Sequence, residues 1–284
     1  MKKIFNFYRL CFFVEFFVLL IGTDLDAERI LTHRPQANSQ QIQILDKSGN
    51  LLSFRKVAST CYDDNEFTWS GGNEKKSSYL TLAVSEGHVR GVVLQPEDNF
   101  QFNGTLDEQK FYIKPPLQRQ CGGCRMKPLS SIDPRIRNAA QTKHTWRNSD
   151  AGQIDLMVVY PTAVKNAIGS LQDAKNEINN AVAGANLCFR NSEVQIHLRL
   201  VHIYETDYEP TGNLDLDLER LTQKDDGFLD DIHNLRDQYG ADIVTLLSTD
   251  SDMGGLANTL SYPSSSFEDS AFNVCVWDPR PTLY

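Results

Sequence analysis

The side chains of this 284-residue chain that could hold a metal or move a proton are its six histidines, its six cysteines and several close pairs of aspartates. The histidines are His33, His88, His144, His197, His202 and His233, and none opens a His-Glu-x-x-His run. That spacing would matter, because two imidazoles one helical turn apart with a carboxylate beside them form the common helical zinc site. His197 and His202 are five apart in strand-like sequence, which predicts opposite faces and a role as polar positions on a half-buried strand. Cys121-Gly-Gly-Cys124 has the spacing of a metal knuckle or a redox pair. A knuckle needs a second pair of ligands, and none is evident. A redox pair needs a helix start after it, and Arg125-Met-Lys-Pro128 is a poor one. A structural disulfide of Cys121 or Cys124 with Cys61 stands open beside a thiol with its own task. Asp225 and Asp226, Asp230 and Asp231, and Asp250 and Asp252 read as caps and turns. Asp250-Ser-Asp252 lacks the other ligands of a calcium loop.

The elements that would carry such residues are clearest from Ile154 onward. Ile154-Asp-Leu-Met-Val-Val-Tyr160 is a continuous apolar run, as a strand covered on both faces should be. Pro161 and Thr162 close it. Val164, Ile168, Leu171, Ile178, Val182 and Ala185 then recur at three- and four-residue steps and predict one amphipathic crossover helix. Glu193 to Tyr204 alternates as a second strand. Leu214, Leu218 and Leu221, then Leu229, Ile232 and Leu235, predict one or two short helices ended by Gly240, and Ala241 to Leu247 is a third strand. Strands alternating with helices imply parallel pairing through right-handed crossovers. No Gly-rich phosphate loop follows the first strand. Two short strands end the series in direct succession, one after Gly254-Gly255 and one within Ala271-Phe-Asn-Val-Cys-Val-Trp277.

Upstream, Ile42 to Leu45, Leu51 to Val57, Phe67 to Trp69, Ser78 to Val84, Val89 to Leu94 and Phe111 to Ile113 are short β-type runs between Gly, Asn, Asp and Pro clusters, the pattern of a small antiparallel domain. Asn103-Gly-Thr105 reads as a turn and, in a eukaryotic host, as a glycosylation acceptor. A charged start, Met1 to Arg9, and an apolar run, Leu10 to Gly22, have the form of a secretory signal peptide. Cleavage is expected after Ala27, with Gly22 and Thr23 also suitable. The apolar run is short for a membrane span and Glu15 interrupts it. Removing Cys11 with the signal leaves five cysteines, an odd number for an exported protein. The net charge of −9 argues against nucleic acid as a partner. The domains expected are a signal at 1–27, a β-rich domain at 28–120, a basic linker at 121–150 and a second domain at 151–284. Arg125, Lys127, Arg135, Arg137, Lys143 and Arg147 offer that linker to a processing protease, or simply keep it solvated.

The order of elements from Ile154 to Trp277, with Gly255-Leu256-Ala257 opening a late short strand, resembles the upper half of a metzincin zinc endopeptidase, most closely the reprolysin or adamalysin branch. Trp69-Ser-Gly-Gly72, the hairpin Tyr79 to Leu94 and Phe111-Tyr-Ile-Lys-Pro115 resemble the pro-domain of the same proteases. The fold this resemblance implies is α/β (α+β): a β-rich pro-domain, then a mostly parallel twisted sheet with crossover helices and no zinc-binding helix. Gly255, Leu256, Ala257 and Asn258 would face a protein or peptide substrate laid along the sheet edge. Cys121, followed by Gly122, would be a cysteine switch, its thiolate filling zinc's open position. The helix H-E-x-x-H-x-x-G-x-x-H is absent, so zinc ligands are expected beyond Tyr284, and no catalytic or metal-binding residue is assigned within the chain. The resemblance implies a secreted zinc metalloendopeptidase precursor, of which this chain is expected to be a fragment. The alternative is a non-catalytic secreted binding or decoy protein, and a third is an unrelated α/β protein with a β-sandwich attached. A missing next helix would leave the sheet partly bare near Val274 and Val276.

Overall fold

A computed structural model describes residues 25–28, 30–75, 77–96, 99–107, 110–114, 152–249, 254–258 and 265–277. The expected signal segment up to residue 24, the cysteines at 121 and 124, the basic linker and Asp250 and Asp252 lie outside the described residues.

The first unit is an eight-stranded antiparallel sheet. Its strands are β1 (Leu25–Glu28), β2 (Gln41–Leu45), β3 (Leu51–Cys61), β4 (Glu66–Gly72), β5 (Tyr79–Ser85), β6 (His88–Leu94), β7 (Phe100–Thr105) and β8 (Lys110–Lys114). They run in the order β1-β8-β7-β6-β5-β4-β3-β2, so all but β1 follow chain order as a meander. Alternate residues close one core: Ile42, Ile44, Phe54, Trp69, Leu80, Leu82, Phe100 and Phe102 are buried in it. Trp69 is wholly buried and its indole N–H donates to the Ser39 carbonyl at 2.8 Å, as a buried indole must. Two glycines make room for these rings. A Cβ on Gly71 would sit 2.3 Å from the Trp69 ring, and one on Gly91 would sit 2.2 Å from the Phe102 ring. Two strands go beyond the sequence expectation. β7 contains Asn103-Gly104-Thr105, read above as a turn, but these residues pair inside the sheet between β6 and β8. β1 begins before the expected cut after Ala27 and pairs with β8 from Leu25↔Ile113 to Glu28↔Lys110. Cleavage after Gly22 or Thr23 would keep it whole.

The second unit is a mixed α/β layer built on a five-stranded sheet. Its elements are β9 (Gly152–Pro161), α1 (Thr162–Ile168), α2 (Leu171–Asn191), β10 (Ile196–Thr206), α3 (Leu214–Thr222), α4 (Asp230–Tyr239), β11 (Ile243–Ser248), β12 (Gly255–Ala257), a 3-10 turn (Ser265–Ser270) and β13 (Phe272–Val276). The strand order is β10-β9-β11-β13-β12, and only β12 is antiparallel to its neighbour. Met157, Val159, Val244, Leu246 and Val274 form one face with α3 and α4, and Val158 and Tyr160 form the other with Val164 of α1 and Ile178 of α2.

Three details correct the sequence reading. The single crossover helix is two, because Gly169 takes φ +133° and Ser170 restarts the helix by accepting the Asp173 N–H at 3.1 Å. A register shift between Leu200 and His202 reverses strand parity, so His197 and His202 stand opposite Gln153 and Met157 and share a face. Val274 and Val276 are not bare: they are 0% and 5% exposed, packed beneath α3 and α4. The side of β13 that stays open carries Cys275 instead.

Candidate functional site

β12 is the outermost strand of the second sheet, and its pairing decides what its free side offers. Val276 N–H donates to the Gly254 carbonyl at 3.0 Å and Asn258 N–H to the Phe272 carbonyl at 3.3 Å. In an antiparallel ladder hydrogen-bonded pairs alternate with non-bonded ones, so the even-numbered residues of β12 bond inward. Gly255 and Ala257 therefore turn their N–H and C=O away from β13, toward solvent. Both residues are exposed, and Leu256 between them is half-buried against the core under α3 and α4. An unpaired edge of this kind accepts an extended peptide as an added strand.

Gly255 is required by this approach. A Cβ there would lie 2.8 Å from the Val274 carbonyl oxygen and 3.5 Å from the Cys275 Cα. The Asn258 amide donates to Thr222 Oγ1 at 3.0 Å, which ties the end of β12 to the last turn of α3.

Supports for this edge escaped the sequence reading. Thr222 is one, and Arg236 in the last turn of α4 is another. The Arg236 guanidinium is 7% exposed and donates to the carbonyls of Ala241 at 3.1 Å, Asp242 at 3.3 Å and Glu268. It thereby joins the start of β11 to the turn that leads into β13. Its only signal in sequence is a cation just before Gly240, which reads as an ordinary helix-end charge. The segment before α3 is held by Asp217, which accepts from the Tyr208 hydroxyl at 2.6 Å and from Thr211 N–H at 3.0 Å. Burial first, and that hydrogen bond second, push the Tyr208 phenol up to about 12.

The other candidates do not assemble into a site. Asp230 accepts the N–H groups of Asp226 and Gly227, and Asp226 accepts that of Phe228 at 2.9 Å, so these aspartates order a turn and a helix start. His197 and His202, although on one face, are separated by four partner positions on β9, about 13 Å at 3.3 Å per residue. His202 stacks on Tyr239 with ring centroids 3.7 Å apart. His233 shares a hydrogen bond with the Gln223 carbonyl at 3.1 Å. Cys61, Cys188 and Cys275 are free thiols among the described residues. The zinc implied by the resemblance finds no holder among the described residues, where no three His, Cys, Asp or Glu side chains come together. No helix among the described residues is long and apolar enough to cross a membrane.

Residues 175–281 match the family model of the metallo-peptidase family M12B, reprolysin-like. The peptidyl-Asp metalloendopeptidase of Stenotrophomonas maltophilia (strain R551-3) is 33% identical over 236 residues, which is 78% of this chain and 55% of that protein. The protein of the same name from Xanthomonas campestris is 34% identical over 129 residues, 45% of this chain and 29% of that one. This chain thus spans about a third to a half of the length of these relatives. Among solved structures, metalloproteinase-II from Bacteroides fragilis aligns with a TM-score of 0.43 and 11% identity, over 83% of this chain and 74% of that one. By its sequence, then, the stretch containing α3, α4 and the β12 edge is similar to reprolysin-like metallopeptidases.

Proposed function

We propose that this chain is the front part of a secreted zinc metalloendopeptidase precursor, in which β12 lays an extended peptide along the sheet edge for cleavage. Residues 28–120 act as the pro-domain, residues 121–150 as a processing linker with Cys121 as the inhibitory thiol, and residues 151–284 as the peptide-presenting subdomain. The charged and then apolar start supports export. The zinc ligands are assigned to sequence outside these 284 residues, in keeping with the greater length of the relatives, and no chemical step is assigned to a residue of this chain. The name of those relatives makes an Asp-containing peptide the first probe.

The observation that carries the reading is the outward pair of backbone groups at Gly255 and Ala257. Replacing Ala257 with proline tests it, because proline removes one outward N–H without touching a bond to β13. Ala257→Pro should keep the wild-type melting curve and weaken capture of an extended Asp-containing peptide by up to about tenfold, the loss of one backbone hydrogen bond. Equal capture by the two proteins would rule out strand addition at this edge.

A second reading, a non-catalytic binding protein using the same edge, is favoured by the lack of a His-Glu-x-x-His run. Peptide captured by the 284-residue chain but left uncut, with cleavage still missing when its native downstream sequence is added, would select that reading.

A further inference from the structure

The second sheet has two edges, and they are finished differently. β12 leaves the backbone groups of Gly255 and Ala257 facing outward, whereas β10 forms the opposite rim, runs for 11 residues and pairs only with β9. In a parallel ladder alternate residues bond to the neighbouring strand and those between them point away. Gly152 N–H donates to the Gln195 carbonyl at 2.9 Å, so Gln195, His197 and Arg199 bond inward and Ile196, Leu198 and Leu200 point outward. A rim of that length with free N–H and C=O groups is a template for another chain.

Leu198 is already occupied. The Asn186 side chain, in the second half of α2, accepts the Leu198 N–H at 2.8 Å and donates to the Leu198 carbonyl at 2.9 Å. One side-chain amide thus makes both bonds that a neighbouring strand would make. A carboxylate of the same size could accept from the N–H but could not donate to the carbonyl. A strand laid along β10 would need the groups of Ile196, Leu198 and Leu200 in succession, and the middle set is taken. The register shift between Leu200 and His202 then breaks the rim a second time.

The stretch is otherwise open to solvent with the first sheet in place: Ile196 is 36% exposed, and His197 and Arg199 are exposed as well. It is also complementary to itself. About a two-fold axis at Leu198, Ile196 of one copy stands opposite Leu200 of the other, and Leu198 opposite Leu198, an aliphatic row on one side of the joined strands. The other side sets Arg199 against His197 of the second copy. The Arg199 charge is met within its own chain by Asp155, to which its Nε donates at 2.8 Å.

We propose that β10 is a self-pairing edge held shut by Asn186, and that without this amide a second copy of the chain adds its own β10, antiparallel, across Leu198. Asn186 and the register shift beside it leave β12 as the open rim of the sheet. The proposal rests on α2 and β10 and holds whether or not β12 takes a peptide.

The test compares the full chain with its Asn186→Ala variant by size exclusion with light scattering over a micromolar concentration series. The variant should lower the dimer dissociation constant at least about tenfold. Its amide exchange at Ile196, Leu198 and Leu200 should slow as concentration rises, which a merely loosened fold would not do. Adding Leu198→Pro removes the outward N–H and no bond to β9, and should return the dissociation constant to that of the wild type. Wild-type self-association in the folded Asn186→Ala chain overturns the proposal, and so does a dimer that survives Leu198→Pro. Were Asn186→Ala to lose the wild-type circular dichroism, Asn186→Asp decides by the same readings, since it keeps the volume and cannot donate to the Leu198 carbonyl.

Discussion

Gly255→Ala is the perturbation whose size follows most directly from the structure. The new Cβ would meet the Val274 carbonyl oxygen at 2.8 Å, against a carbon–oxygen contact of about 3.3–3.6 Å in ordinary packing. The oxygen belongs to the backbone of β13, which β11 holds on its far side from Val244↔Phe272 to Ser248↔Val276, so β12 must be the strand that moves. A shift of half an ångström or more lengthens the bond from Asn258 N–H to the Phe272 carbonyl beyond its present 3.3 Å, out of effective range. Losing that bond and straining its neighbour at Val276 should cost roughly 1–2 kcal/mol of local stability. Amide exchange at Asn258 and Val276 should then quicken about 5- to 30-fold. Amides of β9 and β11 should keep their protection. Gly184→Ala is the matched control: nothing lies within 4 Å of its new Cβ, and in α2 the change should be neutral or stabilising. Unchanged exchange at both positions in Gly255→Ala would refute the tight β12–β13 packing, and with it the reason for a glycine at this edge.

Two further outcomes follow from the cores and the charges. Gly91→Ala would press its Cβ into the wholly buried Phe102 ring and should destabilise the first sheet by about 1–3 kcal/mol. Calorimetry should recover part of that loss when Phe102→Leu is added. The carboxyls of Asp155, hydrogen-bonded by Arg199, and of Glu205, hydrogen-bonded by Lys165, are held below their ordinary range in the folded chain. As pH falls the unfolded chain takes up those protons first, so their contribution is complete above the ordinary carboxylate range and is lost on descent toward the lowered folded values. Denaturant midpoints should therefore fall below about pH 4, and Arg199→Gln should flatten the Asp155 part of that dependence.

Local pattern made much of this architecture readable, and the points where it failed share a cause. The runs at 154–160 and 241–247 announce strands covered on both faces, and β9 and β11 occupy those places beside each other. Gly240 ends α4 in the left-handed conformation, with φ +62°, as a glycine after a helix should. The break at Gly169-Ser170 was missed because the apolar spacing continues across it. The bulge beside Val201 was missed because an extra residue in an edge strand leaves no mark in a half-polar sequence. β7 was missed because Asn103-Gly104 has the composition of a turn, while its position is fixed by β6 and β8 from either side.

The same distinction explains the candidate edge. Gly255, Leu256, Ala257 and Asn258 are singled out by the resemblance, and the structure adds that the backbone groups of Gly255 and Ala257 point away from β13. The Asn258 amide is paired with Thr222, 36 residues earlier, and nothing in the intervening sequence records the pairing. Arg236 is the stronger case. Its guanidinium serves Ala241 and Asp242 nearby and Glu268, 32 residues on, so one helix-end cation aligns the β11 start with the turn before β13. Five donors in a rigid fork suit that task, and a lysine with one rotating ammonium could not span the three carbonyls. The flat edge at Gly255 and Ala257 is thus set from beneath, by contacts that no motif records, and its geometry should depend on Arg236 as directly as on its own glycine.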